Sequence, residues 1–187
     1  MRLNKNSMVQ RKKVLFFIES LAGGGAERVL ATIIKHIDRE KFDITVSTVT
    51  DHGIYNEEVK RLVKFKPLIT TRRGLFYRLI YNSIYYALPA GLIYRLFFQK
   101  GNDIEIAFCE GFATKLLSKS PCKNKIAWVH TDMTANPWTQ NVTYPSLAME
   151  KKAYSKYNHI ICVSENVRTS FESRFGLTAQ TLYNPID

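Results

Sequence analysis

The tightest constraint on this chain is an apolar strand that runs into three glycines and emerges as a helix. Val14-Leu15-Phe16-Phe17-Ile18 contains no polar side chain, as expected of a strand covered on both faces. Gly23-Gly24-Gly25 follow, and then Val29, Leu30, Ile33, Ile34 and Ile37 recur at helical spacing. Glycines between two such elements let the backbone approach a ligand closely, and they aim free N–H groups of a helix start at an anion. A tight turn that needs positive φ explains them equally well. Glu27 suits the positive end of that helix. Arg28 is placed either to reach an anionic ligand or to pair with Glu19 or Glu27.

A nicotinamide or flavin fingerprint fits this elbow poorly. With Gly23 and Gly25 as the first two glycines of G-x-G-x-x-G, the third would fall at position 28, which is Arg28. The acidic residue that should close the second strand is also missing, since Asp51 comes late.

The strand–helix alternation continues along the chain. Asp43–Val49 reads as a second strand, β-branched and alternating. A short helix is predicted over 54–60 and a brief strand over 62–65. Residues 74–99 read as helical with a break at Leu88-Pro89-Ala90-Gly91, because proline removes a donor and glycine loosens the turn. Strands are predicted at 104–108, 125–129, 159–163 and 180–183, with helices at 112–118, 146–157 and 165–175. Ser164 is the expected N-cap of the last helix. Repeated βα units imply an α/β fold with a single Rossmann-like, doubly wound parallel sheet. Residues 1–12 read as a flexible basic tail and 13–187 as one domain. In such sheets ligands collect beyond the carboxyl ends of the strands. The glycine loop, Glu110-Gly111, His130-Thr131-Asp132 and Ser164-Glu165 all follow strands, so all four are expected on one rim.

The charge distribution is uneven. The chain carries +11 overall, yet between Glu58 and Asp103 there is no acidic residue, while Lys60, Arg61, Lys64, Lys66, Arg72, Arg73, Arg78, Arg95 and Lys100 are basic. A block of one sign seeks a polyanion, either nucleic acid or an anionic membrane. Its aromatic residues sit in the uncharged stretch between Arg78 and Arg95 rather than among the cations, which argues against nucleic acid. Asn82, Ser83 and Pro89 make that stretch too polar to span a bilayer. Basic flanks and tyrosines suit a surface helix that dips into headgroups, with Arg72, Arg73, Tyr77, Arg78, Tyr81 and Tyr85 on the membrane surface. A helix packed on the sheet, with its tyrosines over a hinge, has equal standing. Cys109, Cys122 and Cys162 are an odd, widely spaced set, so neither a disulfide framework nor a zinc site is expected, and a reducing cytoplasm is the better setting.

Candidate chemistry concentrates at the strand ends. His130 closes the apolar run Ile126-Ala127-Trp128-Val129, so its ring should reach over the sheet edge. A neutral imidazole there donates to a sugar hydroxyl, and an imidazolium offsets negative charge. A histidine bonded to backbone at a strand end is as common. Asp132 is placed to hold that ring, to bind acceptor hydroxyls, or to cap the turn. Trp138, in a proline-flanked loop, can stack on a sugar face or anchor the loop. Glu110-Gly111 sits where a carboxylate could meet an acceptor hydroxyl. No Ser-His-Asp set, P-loop lysine or clustered metal ligands appear in the sequence.

Five segments together resemble one family. They are Ile18 to Leu30 with its Gly-Gly-Gly-Ala-Glu-Arg-Val-Leu core, Asn102 to Lys115, Ala127-Trp128-Val129-His130-Thr131-Asp132, Ile160-Ile161-Cys162-Val163-Ser164-Glu165, and Leu182-Tyr183-Asn184-Pro185-Ile186-Asp187. In this order they resemble the N-terminal, acceptor-side domain of the retaining family-4 glycosyltransferases, enzymes of the two-domain GT-B type. The resemblance implies transfer of a hexose from a nucleotide-diphosphate sugar as co-substrate, with no cofactor or metal, to a glycan or lipid-linked acceptor in surface polysaccharide synthesis. It implies that His130 lies beside the transferred sugar and that the protein sits in the cytoplasm, peripheral to the inner face of the cell membrane. In that family Asn184-Pro185-Ile186-Asp187 corresponds to the crossing into a donor-binding C-terminal domain. The 187 residues therefore read as the acceptor half, inactive without its opposing lobe. The alternative is a non-catalytic subunit of a split transferase that docks on a membrane or on a donor-domain partner.

Overall fold

The computed structural model describes residues 10–70, 74–98 and 100–185. Seven parallel strands form one sheet: β1 (Lys12–Ile18), β2 (Phe42–Thr48), β3 (Lys64–Phe65), β4 (Ile104–Ala107), β5 (Lys125–Val129), β6 (His159–Cys162) and β7 (Gln180–Thr181). Their order is β3-β2-β1-β4-β5-β6-β7. The direction of winding reverses between β1 and β4, which are paired in parallel from Val14↔Ile104 to Phe17↔Ala107. Among the described residues, seven α-helices flank the sheet: α1 (Gly25–His36), α2 (Asn56–Leu62), α3 (Leu75–Asn82), α4 (Ala90–Phe97), α5 (Phe112–Leu117), α6 (Leu147–Tyr154) and α7 (Glu165–Phe175).

Residues of β1 alternate between two cores, as the strand period of two requires. Val14, Phe16 and Ile18 face α1 and α2, packing with Leu30, Ile34 and Val59. Leu15 and Phe17 face the other layer, with Ile93, Phe112, Leu116 and Phe171. This is the doubly wound α/β architecture expected. β1 begins at Lys12, whose N–H donates to Lys41 O at 2.9 Å, so the strand reaches one residue into the segment assigned to the tail.

Element boundaries moved in places for local reasons. The helix expected at 54–60 is Asn56–Leu62, because the chain first crosses Gly53, which bridges Leu21. A Cβ at Gly53 would meet Leu21 O at 2.3 Å, so this crossing needs glycine. The helix expected over 146–157 stops at Tyr154, where the Lys156 and Tyr157 N–H groups close tight turns onto Ala153 and Tyr154. The last strand has two residues, since its partner β6 offers it only Ile161 and Cys162. Ser164 caps α7 as expected, its Oγ accepting from Val167 N at 3.2 Å. The stretch after α3 is a π-turn, Ser83–Ala87, closed by Leu88 N–H on Ser83 O at 2.8 Å. Leu88 is then extended, as the residue before Pro89 must be.

Phe17 is fully buried and meets Phe98 edge-to-face at a ring separation of 5.2 Å. Phe17→Ala should lower unfolding free energy by about 3–5 kcal/mol, read as a reduced midpoint in urea denaturation.

Candidate functional site

The carboxyl ends of β1, β4 and β5 carry most of the expected site residues. β1 and β5 are separated only by β4, so their carboxyl ends stand about 10 Å apart at ordinary strand spacing. The cavities lined by Arg11, Asp43 and Lys64, and by Asn102, Asp103 and Asn124, lie at the opposite, amino-terminal edge.

In the elbow, Gly23 has φ +121, and α1 starts at Gly25. The Glu27 side chain folds back over the helix start: a Cβ at Gly24 would lie 2.3 Å from Glu27 Oε2. Ser20 Oγ donates to Glu27 Oε1 at 3.5 Å. Glu27 thus places its charge at the positive end of α1. Arg28 is exposed and, among the described residues, forms no ion pair with Glu19 or Glu27.

Glu19, expected only as a possible ion-pair partner of Arg28, sits at the centre of this edge. It follows β1 directly and joins three separate segments. Tyr85 donates its hydroxyl to Oε2 at 2.8 Å, and the Phe112 N–H at the start of α5 donates to Oε1 at 3.1 Å. Burial raises the Glu19 pKa, the two donors oppose that rise, and the Glu27 charge adds to it. Burial and the adjacent Glu19 likewise push the Tyr85 hydroxyl upward. The available signal was an acidic residue closing an otherwise apolar strand.

Gly111 adopts φ +76, and a Cβ there would meet Trp138 Cη2 at 2.6 Å and Glu19 Oε1 at 3.4 Å. The indole therefore lies against the Gly111 backbone beside Glu19. Trp138 anchors its loop and remains half-buried rather than enclosed.

Glu110 and Asp132, both expected at acceptor hydroxyls, are engaged within the protein. Glu110 is buried; its Oε1 accepts from His130 N at 2.5 Å and Thr131 N at 2.7 Å, and its Oε2 accepts from Cys109 Sγ at 3.3 Å. Burial raises its pKa, against the pull of these donors. Asp132 does not hold the His130 ring. Its Oδ1 accepts from Thr134 N at 2.9 Å, Ala135 N at 3.0 Å and the Ser170 hydroxyl, and Oδ2 accepts from Asn166 at 3.3 Å. It caps the turn and ties β5 to α7. Glu110 is enclosed by these bonds, whereas Asp132 is half-exposed and its Oδ2 accepts from Asn166 alone.

The His130 ring lies on the α1 side of the sheet, 5.0 Å from the Phe108 ring and stacked on Trp128 at 6.4 Å. Burial lowers its pKa to about 4, only partly offset by a hydrogen bond to the Phe108 backbone, and Nε2 has no partner. At neutral pH the ring is uncharged and holds one unused polar atom.

The tyrosines assigned to the membrane face point the other way. Tyr77, Tyr81 and Tyr85 pack on the core side of α3 and the π-turn, with ring separations of 5.9 Å and 4.5 Å along the row, and Tyr85 lies 4.5 Å from Phe112. Half-buried and packed on the core, they fit the alternative of a helix laid on the sheet rather than one whose tyrosines enter headgroups. Arg78 is exposed, and Arg72 and Arg73 lie outside the described residues.

Two outcomes check this geometry. NMR titration of the His130 ring should give a midpoint near pH 4. An unfolded ring titrates at about 6.5, so the unfolded chain binds more protons between these values. The ring's contribution to stability is thus complete above pH 6.5 and is lost as pH falls toward 4. Gly111→Ala should cost about 1–3 kcal/mol and red-shift tryptophan emission as Trp138 is pushed outward.

Comparison with known proteins places this architecture. The sequence profile of Glycosyltransferase Family 4 matches residues 23–187. The solved apo structure of the lipopolysaccharide outer core galactosyltransferase WaaB is similar over 94% of this chain and 46% of its own, at 15% identity and a TM-score of 0.53. An O-GlcNAc transferase of Thermobaculum terrenum aligns over 97% of this chain and 46% of its own, at 9% identity and a TM-score of 0.43. No curated protein matches the chain. The chain thus spans under half the length of these two transferases. The likeness to WaaB is one of fold, the Rossmann-like N-terminal half of the GT-B architecture. With the profile covering most of its length, the chain belongs to Glycosyltransferase Family 4.

Proposed function

We propose that this domain is the acceptor-binding half of a retaining glycosyltransferase that moves a sugar from a nucleotide-diphosphate sugar to a glycan or lipid-linked acceptor in cell-surface polysaccharide synthesis. One observation carries the reading: the triglycine elbow, Gly111 with Trp138, and His130 share the carboxyl edge at the β1/β4 reversal. That edge is where doubly wound sheets take their ligands.

Each residue has a defined part. His130, uncharged and with Nε2 buried and unpartnered beside Phe108 and Trp128, supplies a neutral hydrogen-bonding group for the transferred sugar rather than a counter-ion. Glu110 holds the His130 and Thr131 backbone from beneath. Trp138 offers an indole edge to the acceptor, and the Gly23–Gly25 elbow with Arg28 faces the negative charge of the donor diphosphate. Stabilising the departing diphosphate takes groups from both sides of a cleft, so the domain alone is inactive and works with an opposing donor lobe. The placement proposed is cytoplasmic and peripheral, at the inner face of the cell membrane. No helix among the described residues is long and apolar enough to cross a membrane.

The test follows label from radioactive UDP-glucose, UDP-galactose and GDP-mannose into a bacterial lipid extract. The chain alone should transfer none. Joined to a family-4 donor lobe it should turn over, and His130→Ala should cut the rate about 10²–10³-fold. Turnover by the isolated chain would refute the half-enzyme reading, and an unchanged rate for His130→Ala would refute its role.

A further inference from the structure

Ile104-Glu105-Ile106-Ala107 sets one acid inside an otherwise apolar central strand. Glu105 is 1% exposed. Its Oε1 accepts from the Tyr94 hydroxyl at 2.7 Å and from Asn102 Nδ2 at 2.8 Å. Its Oε2 has no hydrogen-bond partner among the described residues. A buried acceptor left unmet costs free energy, and such an atom in a folded protein calls for an explanation. Lys125, opposite Glu105 in the β4–β5 pairing, attracts its charge but donates to Ser120 O at 3.1 Å. Glu105 also lines a cavity of about 300 Å³ at the amino-terminal edge of the sheet. His130 follows Lys125 by five residues, so Glu105 stands about 16 Å below the ligand rim at 3.3 Å per residue.

We propose that this cavity is a second, non-catalytic site that holds one neutral sugar residue, a ring hydroxyl donating to the Glu105 carboxylate. Charge and wall chemistry select the occupant. Glu105 and Asp103 are balanced by Lys123 on the wall and Lys125 beside Glu105, so neither a cation nor an anion is favoured. The amides of Asn102 and Asn124 carry donors and acceptors together. Apolar lining comes only from Pro121, Cys122 and the Tyr94 ring, too little to seat an aliphatic side chain of a peptide. A small neutral ring whose hydroxyls both donate and accept matches such a wall. The volume lies at the low end of small-molecule sites, which suits a single residue of a glycan. The inference uses no part of the transfer reaction proposed above, and a sugar held here leaves the rim clear.

Saturation-transfer NMR of the whole chain tests this, with the methyl glycosides of glucose, galactose, mannose and N-acetylglucosamine as probes and putrescine and acetate as ionic controls. At least one glycoside should take up saturation, and neither control should. Glu105→Gln should weaken glycoside binding at least about tenfold, since a hydrogen bond to a charged acceptor is lost. Cys122→Tyr fills the cavity from a half-exposed position, and it should abolish the signal with circular dichroism unchanged. This second variant decides the matter if Glu105→Gln fails to fold. Absence of saturation with all four glycosides would overturn the proposal. So would a signal that survives Cys122→Tyr, which would place the sugar at the rim, or saturation of putrescine in place of the glycosides. The assay contains no nucleotide sugar, so a failed transfer reaction leaves its outcome untouched.

Discussion

β1 is hydrogen-bonded to a parallel strand on each side, and this double pairing constrains the rest of the molecule. Both faces of β1 must be covered by helices, because parallel neighbours are joined only through crossovers. Its five apolar residues supply both cores at once, Phe17 toward α4 and α5 and Phe16 toward α1. Crossovers that leave β1 and β4 on opposite faces open the sheet edge between them. The glycine elbow, Glu19 and the Glu110-Gly111 turn occupy that edge because the chain has no other route out of those two strands.

Carboxylates hold this edge together. Glu19 and Glu110 are each drawn from water and each met by backbone N–H groups of a neighbouring strand end or helix start. A buried carboxylate is tolerable only when such donors replace its hydration. Asp132 does similar work nearer the surface, binding its own turn and α7. The acids that looked most like ligands for a substrate are thus the frame, with Trp138 half-buried against it and the His130 ring packed beside Phe108 and Trp128.

Much of this was legible in the sequence, and the physical reason differs by element. The unbroken run Val14–Ile18 admits only a doubly covered strand, and Ser164 ahead of a helical pattern admits little besides a cap. The rim followed from connectivity alone, since every candidate motif came directly after a strand. Partnerships were hidden because they span long separations in sequence: Tyr85 and Phe112 reach Glu19, and Asn166 and Ser170 reach Asp132. The orientation of the tyrosine helix was illegible for another reason. Tyrosine suits a core edge as well as an interface, so the row at 77, 81 and 85 does not itself say which side faces the sheet, and it proved to be the inner one.

The π-turn bears on how this edge can vary. A π-turn is a helix holding one residue more than its α-helical hydrogen bonding requires. That surplus sets the angular position of Tyr85 ahead of the break at Pro89. A shortened version would swing the phenol aside and strand the Glu19 oxygen among apolar neighbours. Substituting leucine for Glu19 would instead deprive the phenol of its carboxylate acceptor. Relatives trimmed at this helix should therefore carry a different side chain after the first strand, the two alterations arriving as a pair.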